Sequence, residues 1–212
     1  MRLRLAPSLP PRNNLRGVAL IRDAARLPQQ WQFELKRRRF ARQIARGEFV
    51  TDEPEYAILH TLIRPGDWVL DIGANIGHYT KRFSELAGPA GRVIAFEPVP
   101  TTFALLTSNA RLFTTTNTTL LNAAVSDALS VVGMSMPNFS SGLSNYYRAH
   151  IAAATDSELS VLTLSVDSLG LDARVALIKI DAEGHEASVL AGMQSLLPGS
   201  PNVLFRRLVN PR

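Results

Sequence analysis

The segment Val69–Thr80 reads VLDIGANIGHYT, which places a glycine-rich turn between an apolar run and a helical pattern. The apolar run Asp67–Asp71 has the length of a buried strand, and Pro65-Gly66 punctuates its start. After Gly77, apolar side chains recur at helical spacing. A strand, a glycine turn and a helix together direct backbone N–H groups towards a ligand beyond the carboxyl end of the strand. The segment therefore predicts a small-molecule site.

The residues of this turn distinguish between ligands. A dinucleotide fingerprint, G-x-G-x-x-G, requires a second glycine where this chain has Asn75, so a diphosphate is disfavoured. Asp71, two residues before Gly73, would repel a phosphate but would hold a cationic amino group. The next apolar strand, Arg92–Phe96, ends at Glu97, where an acid can accept both hydroxyls of a ribose. An amine and a ribose without phosphates describe S-adenosylmethionine.

Three motifs carry a resemblance to a known family. They are D-x-G-A-N-x-G from Asp71, F-E-P at residues 96–98 and D-A-E-G-H-E at residues 181–186. On these motifs the chain, from about Glu53 to Pro201, resembles the FkbM-type class I S-adenosylmethionine-dependent methyltransferases. The alternative, that the strand-end acids only cap neighbouring helices, stays open. The resemblance implies a Rossmann-like, doubly wound, mostly parallel α/β sheet, S-adenosyl-L-methionine as the cofactor, and cofactor contacts from Asp71, Gly73, Ala74, Asn75, Gly77 and Glu97.

The third predicted strand, Asn117–Val125, leaves two further residues near the adenine position of the family. These are Asn122 and Ala124. Many relatives of the wider fold carry an acid there, and Ala124 stands where that acid would be expected. Adenine recognition would therefore fall to the backbone or to Asn122.

The D-A-E-G-H-E motif follows the fourth predicted core strand, Val175–Ile180, at the strand end that faces the donor's methyl group in this fold. A hydroxyl acceptor must be held at near-attack distance and must lose its proton. We expect Asp181 to orient the acceptor or to take its proton. Histidine side chains commonly act as bases near neutral pH, so His185 is the second candidate, although a histidine at a helix start is often only an exposed side chain. Glu183 is the third candidate catalytic residue, and it would share a helical face with Glu186 if the helix has begun there.

No metal site is predicted: one histidine beside three carboxylates could hold a divalent ion, but the same residues serve equally well to accept hydrogen bonds from a polyol. The resemblance implies O-methylation of a hydroxyl on a sugar, glycolipid or secondary metabolite. Val131–Asn145 predicts a β-hairpin or lid that either lines the acceptor pocket or is exposed, with Tyr146 and Tyr147 beside it and with Ser140 and Ser141 within it. A methyltransferase acting on exocyclic amines of nucleic acids would carry an [Asp/Asn]-Pro-Pro-[Tyr/Phe] motif, which is absent.

Charge is distributed unevenly along the chain, whose net charge is +5. Residues 1–50 contain 12 basic and 3 acidic side chains, a net charge of +9, and the remaining residues carry −4. The mildly acidic remainder disfavours a nucleic-acid-binding surface. Within the basic segment, residues 29–46 predict a helix in which Lys36–Arg39 is either a solvated face or a site for an anionic partner such as phosphate, a phosphosugar or an acidic membrane surface.

We expect a basic lead-in over residues 1–50 and one methyltransferase domain over residues 51–212. The chain has no cysteine, which excludes disulfides, thiolate zinc sites and a cysteine nucleophile. No apolar run approaches the roughly 20 residues of a membrane span and no signal peptide is evident, so we expect a cytoplasmic protein without a transmembrane segment.

Five parallel strands are expected, whereas the family's sheet has two more. The fifth, residues 201–205, is followed by Arg206-Arg207 and only five further residues. The sequence therefore predicts a sheet truncated before its last two strands, with an exposed edge that invites self-association. A non-catalytic, donor-binding remnant of the fold is the alternative to an active enzyme.

Overall fold

A computed structural model describes residues 27–135, 150–152, 159–199 and 201–205 of the chain. Its helices are α1 Gln29–Ala45, α2 Pro54–Leu62, α3 His78–Ala87, α4 Pro100–Ala110 and α5 Glu186–Ala191. Its strands are β1 Trp68–Ile72, β2 Arg92–Phe96, β3 Thr118–Leu121, β4 Ala124–Val125, β5 Ser130–Ser135, β6 His150–Ala152, β7 Leu159–Leu164, β8 Val175–Ile180 and β9 Asn202–Phe205.

The main sheet is entirely parallel and has the strand order β3-β2-β1-β8-β9. Its central strands are apolar runs because both faces are covered. Alternate side chains of β1 point to opposite faces: Val69 packs with Phe83 of α3, whereas Leu70 and Ile72 pack with Val189 of α5. The predicted fold class, a Rossmann-like α/β sheet with helices on both faces, is confirmed.

The predicted N-terminal helix is also confirmed, as α1. Its apolar stripe is the one that the sequence indicates, Phe33, Phe40 and Ile44. The stripe packs on a cluster whose members are buried in the body of the protein, Phe49, Ile76 and Leu105. Helix α1 is therefore attached to the domain at α4 and beside the glycine turn. The boundary at residue 50 stays a prediction.

The prediction of one third strand over residues 117–125 is wrong in its second half. Strand β3 ends at Leu121, and the next two paired residues belong to a different sheet as β4. The side-chain amide of Asn122 donates to the carbonyl oxygens of Glu97 (2.8 Å) and Pro98 (3.0 Å) at the end of β2. These bonds tie the chain that leaves β3 to the end of β2, and two residues later this chain pairs in parallel with β7 as β4.

The second sheet has the order β4-β7-β5-β6 and replaces the simple hairpin that the sequence predicts. Strand β5 pairs antiparallel with β6, as a hairpin would, but it also pairs antiparallel with β7 on its other side. Ala124, Met134 and Val161 pack together between these strands and Val99. The proposed acceptor-pocket residues lie outside the described residues: Ser140, Ser141, Asn145, Tyr146 and Tyr147.

Two helix boundaries differ from the sequence pattern. The pattern after β8 extends a helical face to Leu197, whereas α5 ends at Ala191 and Leu197 lies in a separate 3-10 turn. A Cβ on Gly192 would overlap the carbonyl oxygen of Ser126, so the backbone of the second sheet crosses closely just where the helix stops. Helix α4 begins at Pro100 with Val99 at its N-cap position, although Thr101 is the residue that the sequence favours as the cap.

Strand β9 is the outermost strand of the main sheet in the described part of the chain, and it pairs with β8. The residues that follow it, 206–212, lie outside the described residues. Self-association through this edge stays a prediction. None of the described helices combines the length and the apolar composition needed to cross a membrane.

Candidate functional site

The glycine turn connects β1 to α3 and is fixed to the end of β2. The backbone N–H groups of Gly73 and Ala74 both donate to the carbonyl oxygen of Phe96, at 3.0 and 2.9 Å. Gly73 and Gly77 have positive φ angles of 74° and 96°, which favour glycine, and Asn75 has a φ of 52°. A Cβ on Gly77 would also lie 2.7 Å from a methyl carbon of a leucine in α4. The turn is therefore held in a conformation that other residues would strain.

Glu97 presents a carboxylate that the backbone has already oriented. Its Oε2 accepts the N–H of Asn75 and its Oε1 accepts the N–H of Val99, both at 2.9 Å. The side chain is only 5% exposed. Burial raises the pKa of Glu97 to about 7, although the two N–H donors oppose this shift. Each oxygen keeps a free lone pair, so the carboxylate can accept two hydroxyls of a diol.

Asp71 lies within the sheet rather than on the surface of the turn. Its side chain is fully buried, its Oδ2 accepts a hydrogen bond from Thr80 Oγ1 (2.6 Å), and its Oδ1 lies 3.2 Å from Lys179 Nζ. Lys179 Nζ also donates to the carbonyl oxygen of Gly73 at 2.9 Å. In this geometry Asp71 and Lys179 neutralise each other and together support the turn. The role of Asp71 towards a donor amine stays a prediction.

Lys179 is a residue of this site that lies outside the three sequence motifs, although the sequence contains a signal for it. A single lysine interrupts the apolar run VALIKI of β8, and a lysine is almost never fully buried unless it is paired. Because Lys179 lies opposite Asp71 in the β1–β8 register, the partner could have been inferred once the strand order was known.

Asp181 is adjacent to the glycine turn. Its N–H donates to the carbonyl oxygen of Ile72 at 3.0 Å, which extends the pairing of β8 with β1. A Cβ on Gly73 would overlap the carbonyl oxygen of Asp181, so the two backbones are in direct contact. The Asp181 carboxylate lies 3.8 Å from Lys179 Nζ and remains 12% exposed. The structure thus brings the first and third motifs together at one edge of the sheet.

The rest of the D-A-E-G-H-E motif is a loop that precedes α5. Glu183 (φ 46°) and Gly184 (φ 92°) adopt left-handed conformations, and Gly184 N–H donates to Glu186 Oε1 at 3.0 Å. Glu183 therefore lies outside the helix and shares no helical face with Glu186. Within the described residues, no group of three or more histidine, aspartate or glutamate side chains is arranged to hold a metal ion.

His185 connects the loop to the second sheet. Its Nε2 lies 2.9 Å from Ser126 Oγ, which in turn donates to Asp127 Oδ1 at 3.1 Å. Ser126 is buried, and its partner could not have been found from sequence spacing because 59 residues separate the two. His185 thus forms a hydrogen bond with Ser126, next to the second sheet. The role of His185 as a base stays a prediction.

The two residues predicted at the adenine position are separated by the turn out of β3. Asn122 is exposed, and its amide holds the backbone on either side of the Glu97–Pro98 peptide bond. Ala124 is buried in β4 and pairs with Thr163 through its backbone. Asn122 therefore lies next to the backbone of Glu97, whereas Ala124 is part of the second sheet's core.

The described groups fit S-adenosylmethionine. Glu97 offers two oriented acceptors for ribose hydroxyls, and Asp181 is an anionic group beside the turn. Among the residues that the structure describes, Lys179 is a cation beside the turn, and it is already in contact with Asp71 and the carbonyl oxygen of Gly73, which disfavours a diphosphate.

Comparisons with known proteins agree with this geometry. Residues 71–206 match the family model described as the Methyltransferase FkbM domain. The chain is 35% identical over 162 residues to 31-O-demethyl-FK506 methyltransferase FkbM of Streptomyces tacrolimicus, which covers 62% of this chain and 61% of that protein. It is 31% identical over 134 residues to hexuronic acid methyltransferase AglP of Haloferax volcanii, which covers 62% of this chain and 52% of that protein.

The matched part of the chain thus spans only about half to three fifths of these relatives' length. A SAM-dependent methyltransferase structure from Aquifex aeolicus overlaps 81% of this chain and 77% of its own, with 16% identity and a TM-score of 0.41, and it adds nothing to the family match. Because the family model covers more than half of the chain and includes the turn, Glu97 and Asp181, the chain belongs to the FkbM methyltransferase domain family, whose cofactor is S-adenosylmethionine.

Proposed function

We propose that this chain transfers a methyl group from S-adenosylmethionine to a hydroxyl oxygen of a sugar, glycolipid or secondary metabolite. The observation that carries the proposal is the contact between the glycine turn and Asp181, which places a partly exposed carboxylate at the edge of the donor turn. The relatives' names support a hydroxylated acceptor, since one specifies a 31-O-demethyl compound and the other a hexuronic acid.

The residues of the chain divide the work between donor and acceptor. Glu97 accepts the ribose hydroxyls, and the turn from Gly73 to Gly77 orients the donor through its backbone. Bound S-adenosylmethionine supplies an electrophilic methyl group on its sulfonium. Asp181 accepts a hydrogen bond from the acceptor hydroxyl and takes its proton as the new oxygen–carbon bond forms and the sulfur–carbon bond breaks.

A labelled-donor assay tests this proposal. Purified protein is incubated with methyl-labelled S-adenosylmethionine and a panel of hydroxyl and amine acceptors, and the labelled product is identified by mass spectrometry. We expect label on oxygen, and transfer to amines alone would contradict the proposal.

Asp181→Asn should lower the rate of transfer by about 10²- to 10⁴-fold, the usual contribution of a positioned base, with donor affinity nearly unchanged. Asp172→Asn is the matched control, because it removes one carboxylate from an exposed position that precedes β8, at the strand end opposite to Asp181. If both variants retain full activity, Asp181 does not serve the acceptor.

A further inference from the structure

One face of α1 points away from the protein and combines large apolar side chains with arginines. At helical periodicity this face lies opposite the stripe that packs on the domain. Trp31 and Leu35 occupy its first half and are 56% and 47% exposed. We call it the outer face of α1, and it consists of Trp31, Leu35, Arg38, Arg39, Arg42 and the C-cap residue Arg46, all of them exposed.

The positive charge of the outer face is largely uncompensated. Glu34 is the one acidic residue of α1. Its carboxylate accepts two hydrogen bonds from Arg37, which lies outside this face. Arg38 lies at 4.0 Å from the same carboxylate, the limit of an ion pair. In the part of the chain that the structure describes, Arg39, Arg42 and Arg46 have no acidic partner. The outer face therefore presents a positive electrostatic potential, which favours binding to an anionic surface.

We propose that the outer face of α1 docks the protein on an anionic lipid bilayer. Interfacial helices place tryptophan and leucine at the boundary of the acyl region and arginines against lipid phosphates, and this face supplies both kinds of side chain. The rest of the chain, from residue 51 onwards, carries a net charge of −4, so repulsion from the same surface turns α1 towards it.

The exposed leucine distinguishes a bilayer from a nucleic acid. Single-stranded nucleic acids bind to arginines and stack on aromatic rings, but an aliphatic side chain contributes little to them. A bilayer gains from the burial of both Trp31 and Leu35. Each arginine near an anionic membrane strengthens binding by roughly fivefold, so two of them contribute roughly 25-fold, and added salt screens this part.

Vesicle flotation of the full chain tests the proposal. We expect the protein to float with vesicles of phosphatidylglycerol and phosphatidylcholine, and not with phosphatidylcholine alone. Arg38→Gln/Arg42→Gln should lower the partition coefficient roughly 25-fold. Its matched control is Arg111→Gln/Arg174→Gln, which removes the same charge from exposed positions elsewhere and should bind nearly as well as the wild type.

The apolar half is tested in the same assay. Trp31→Ser/Leu35→Ser should lower the partition coefficient at least tenfold. Ile58→Ser/Leu112→Ser is the matched control, since these side chains are exposed to a similar extent outside α1. The chain has two tryptophans, so a blue shift of emission that appears with anionic vesicles should be lost in Trp31→Phe. Circular dichroism verifies that every variant is folded.

Four outcomes would overturn the proposal. The first is equal flotation with both kinds of vesicle, and the second is an equal loss of vesicle binding in the control variants. The third is full competition by soluble glycerol phosphate or by a single-stranded RNA. The fourth is a dimer in size-exclusion chromatography that Trp31→Ser/Leu35→Ser converts to a monomer, because the outer face would then bind a second copy of the chain.

Discussion

Lys179 is a buried lysine whose Nζ lies near four groups: the carboxylates of Asp71 and Asp181, the carbonyl oxygen of Gly73 and the ring of Tyr79. Asp71 is the deepest of these groups, since solvent does not reach it. A buried carboxylate is tolerated because a cation and a hydroxyl donor face it. The stability of the glycine turn thus depends on a charge balance inside the sheet.

Lys179→Met is expected to lower the free energy of unfolding by about 3–5 kcal/mol, because it leaves Asp71 charged and unpaired in the interior. The double variant Asp71→Asn/Lys179→Met should recover most of this loss, since no isolated charge remains. Urea unfolding measures both. Lys81→Met is the control: Lys81 pairs with Glu85 on the surface of α3, and its loss should cost no more than about 1 kcal/mol. A loss of only about 1 kcal/mol for Lys179→Met would contradict an ion pair between Lys179 and Asp71 that is buried away from water.

Glu97 predicts a pH dependence of donor binding. Because the pKa of Glu97 is raised to about 7, its carboxyl is ionised above that pH and protonated below it. A protonated carboxyl loses acceptor capacity for the ribose, so the Kd for S-adenosylmethionine should rise about tenfold from about pH 8 to about pH 6. Calorimetry across this range measures the change. Glu97→Gln should bind weakly with a flat profile, and a wild-type profile that is equally flat would contradict the assignment.

At the scale of elements, the sequence predicted best where the pattern is local. The run Trp68–Ile72, the turn and α3 follow from neighbouring residues, and so do the apolar residues of α1. The predictions are wrong where a segment from a distant part of the chain packs against the element. Nothing near Gly192 indicates that Ser126 passes against it, and nothing near Asn122 indicates that its amide will bond to the end of β2.

Gly192→Ala tests the close crossing that ends α5. The added Cβ would overlap the carbonyl oxygen of Ser126, and overpacking of this kind costs about 1–3 kcal/mol. Gly199→Ala is the matched control, because a Cβ there meets no atom within 4 Å. Thermal unfolding should show a lower midpoint for Gly192→Ala and an unchanged or slightly higher one for Gly199→Ala. Equal unfolding midpoints for the two variants would mean that the end of α5 and the backbone at Ser126 can move apart with little loss of stability.

At the scale of the whole molecule, the site could be predicted only in part. The three motifs identified the strand ends that meet, because the carboxyl ends of parallel strands lie at the same edge of a sheet. The sequence could not show that Asp71 is neutralised by Lys179, or that His185 bonds to Ser126 in the second sheet. These contacts join segments that are far apart in the chain, and their partners are fixed only once the strand order is known.

The attachment of α1 to the domain is also testable. Phe40 packs edge-on against Phe49, with ring centroids 5.9 Å apart, and is half-buried. Phe40→Ala should weaken the attachment by about 2 kcal/mol, below the range for a fully buried phenylalanine. Hydrogen exchange should then lose roughly 30-fold protection at α1 amides and little at β1. If β1 loses as much, α1 unfolds together with the sheet, and the boundary at residue 50 would not separate two units.

The backbone contact between Gly73 and Asp181 leaves no room for even one methyl group. The donor turn and the loop that carries Asp181 therefore form a single geometric unit, although more than a hundred residues separate them in the chain. A chimera that takes the D-A-E-G-H-E loop from a relative in order to change acceptor specificity must keep the backbone of Asp181 in contact with the glycine turn. Libraries that vary the turn should leave Gly73 unchanged, because any side chain there would overlap the Asp181 carbonyl oxygen.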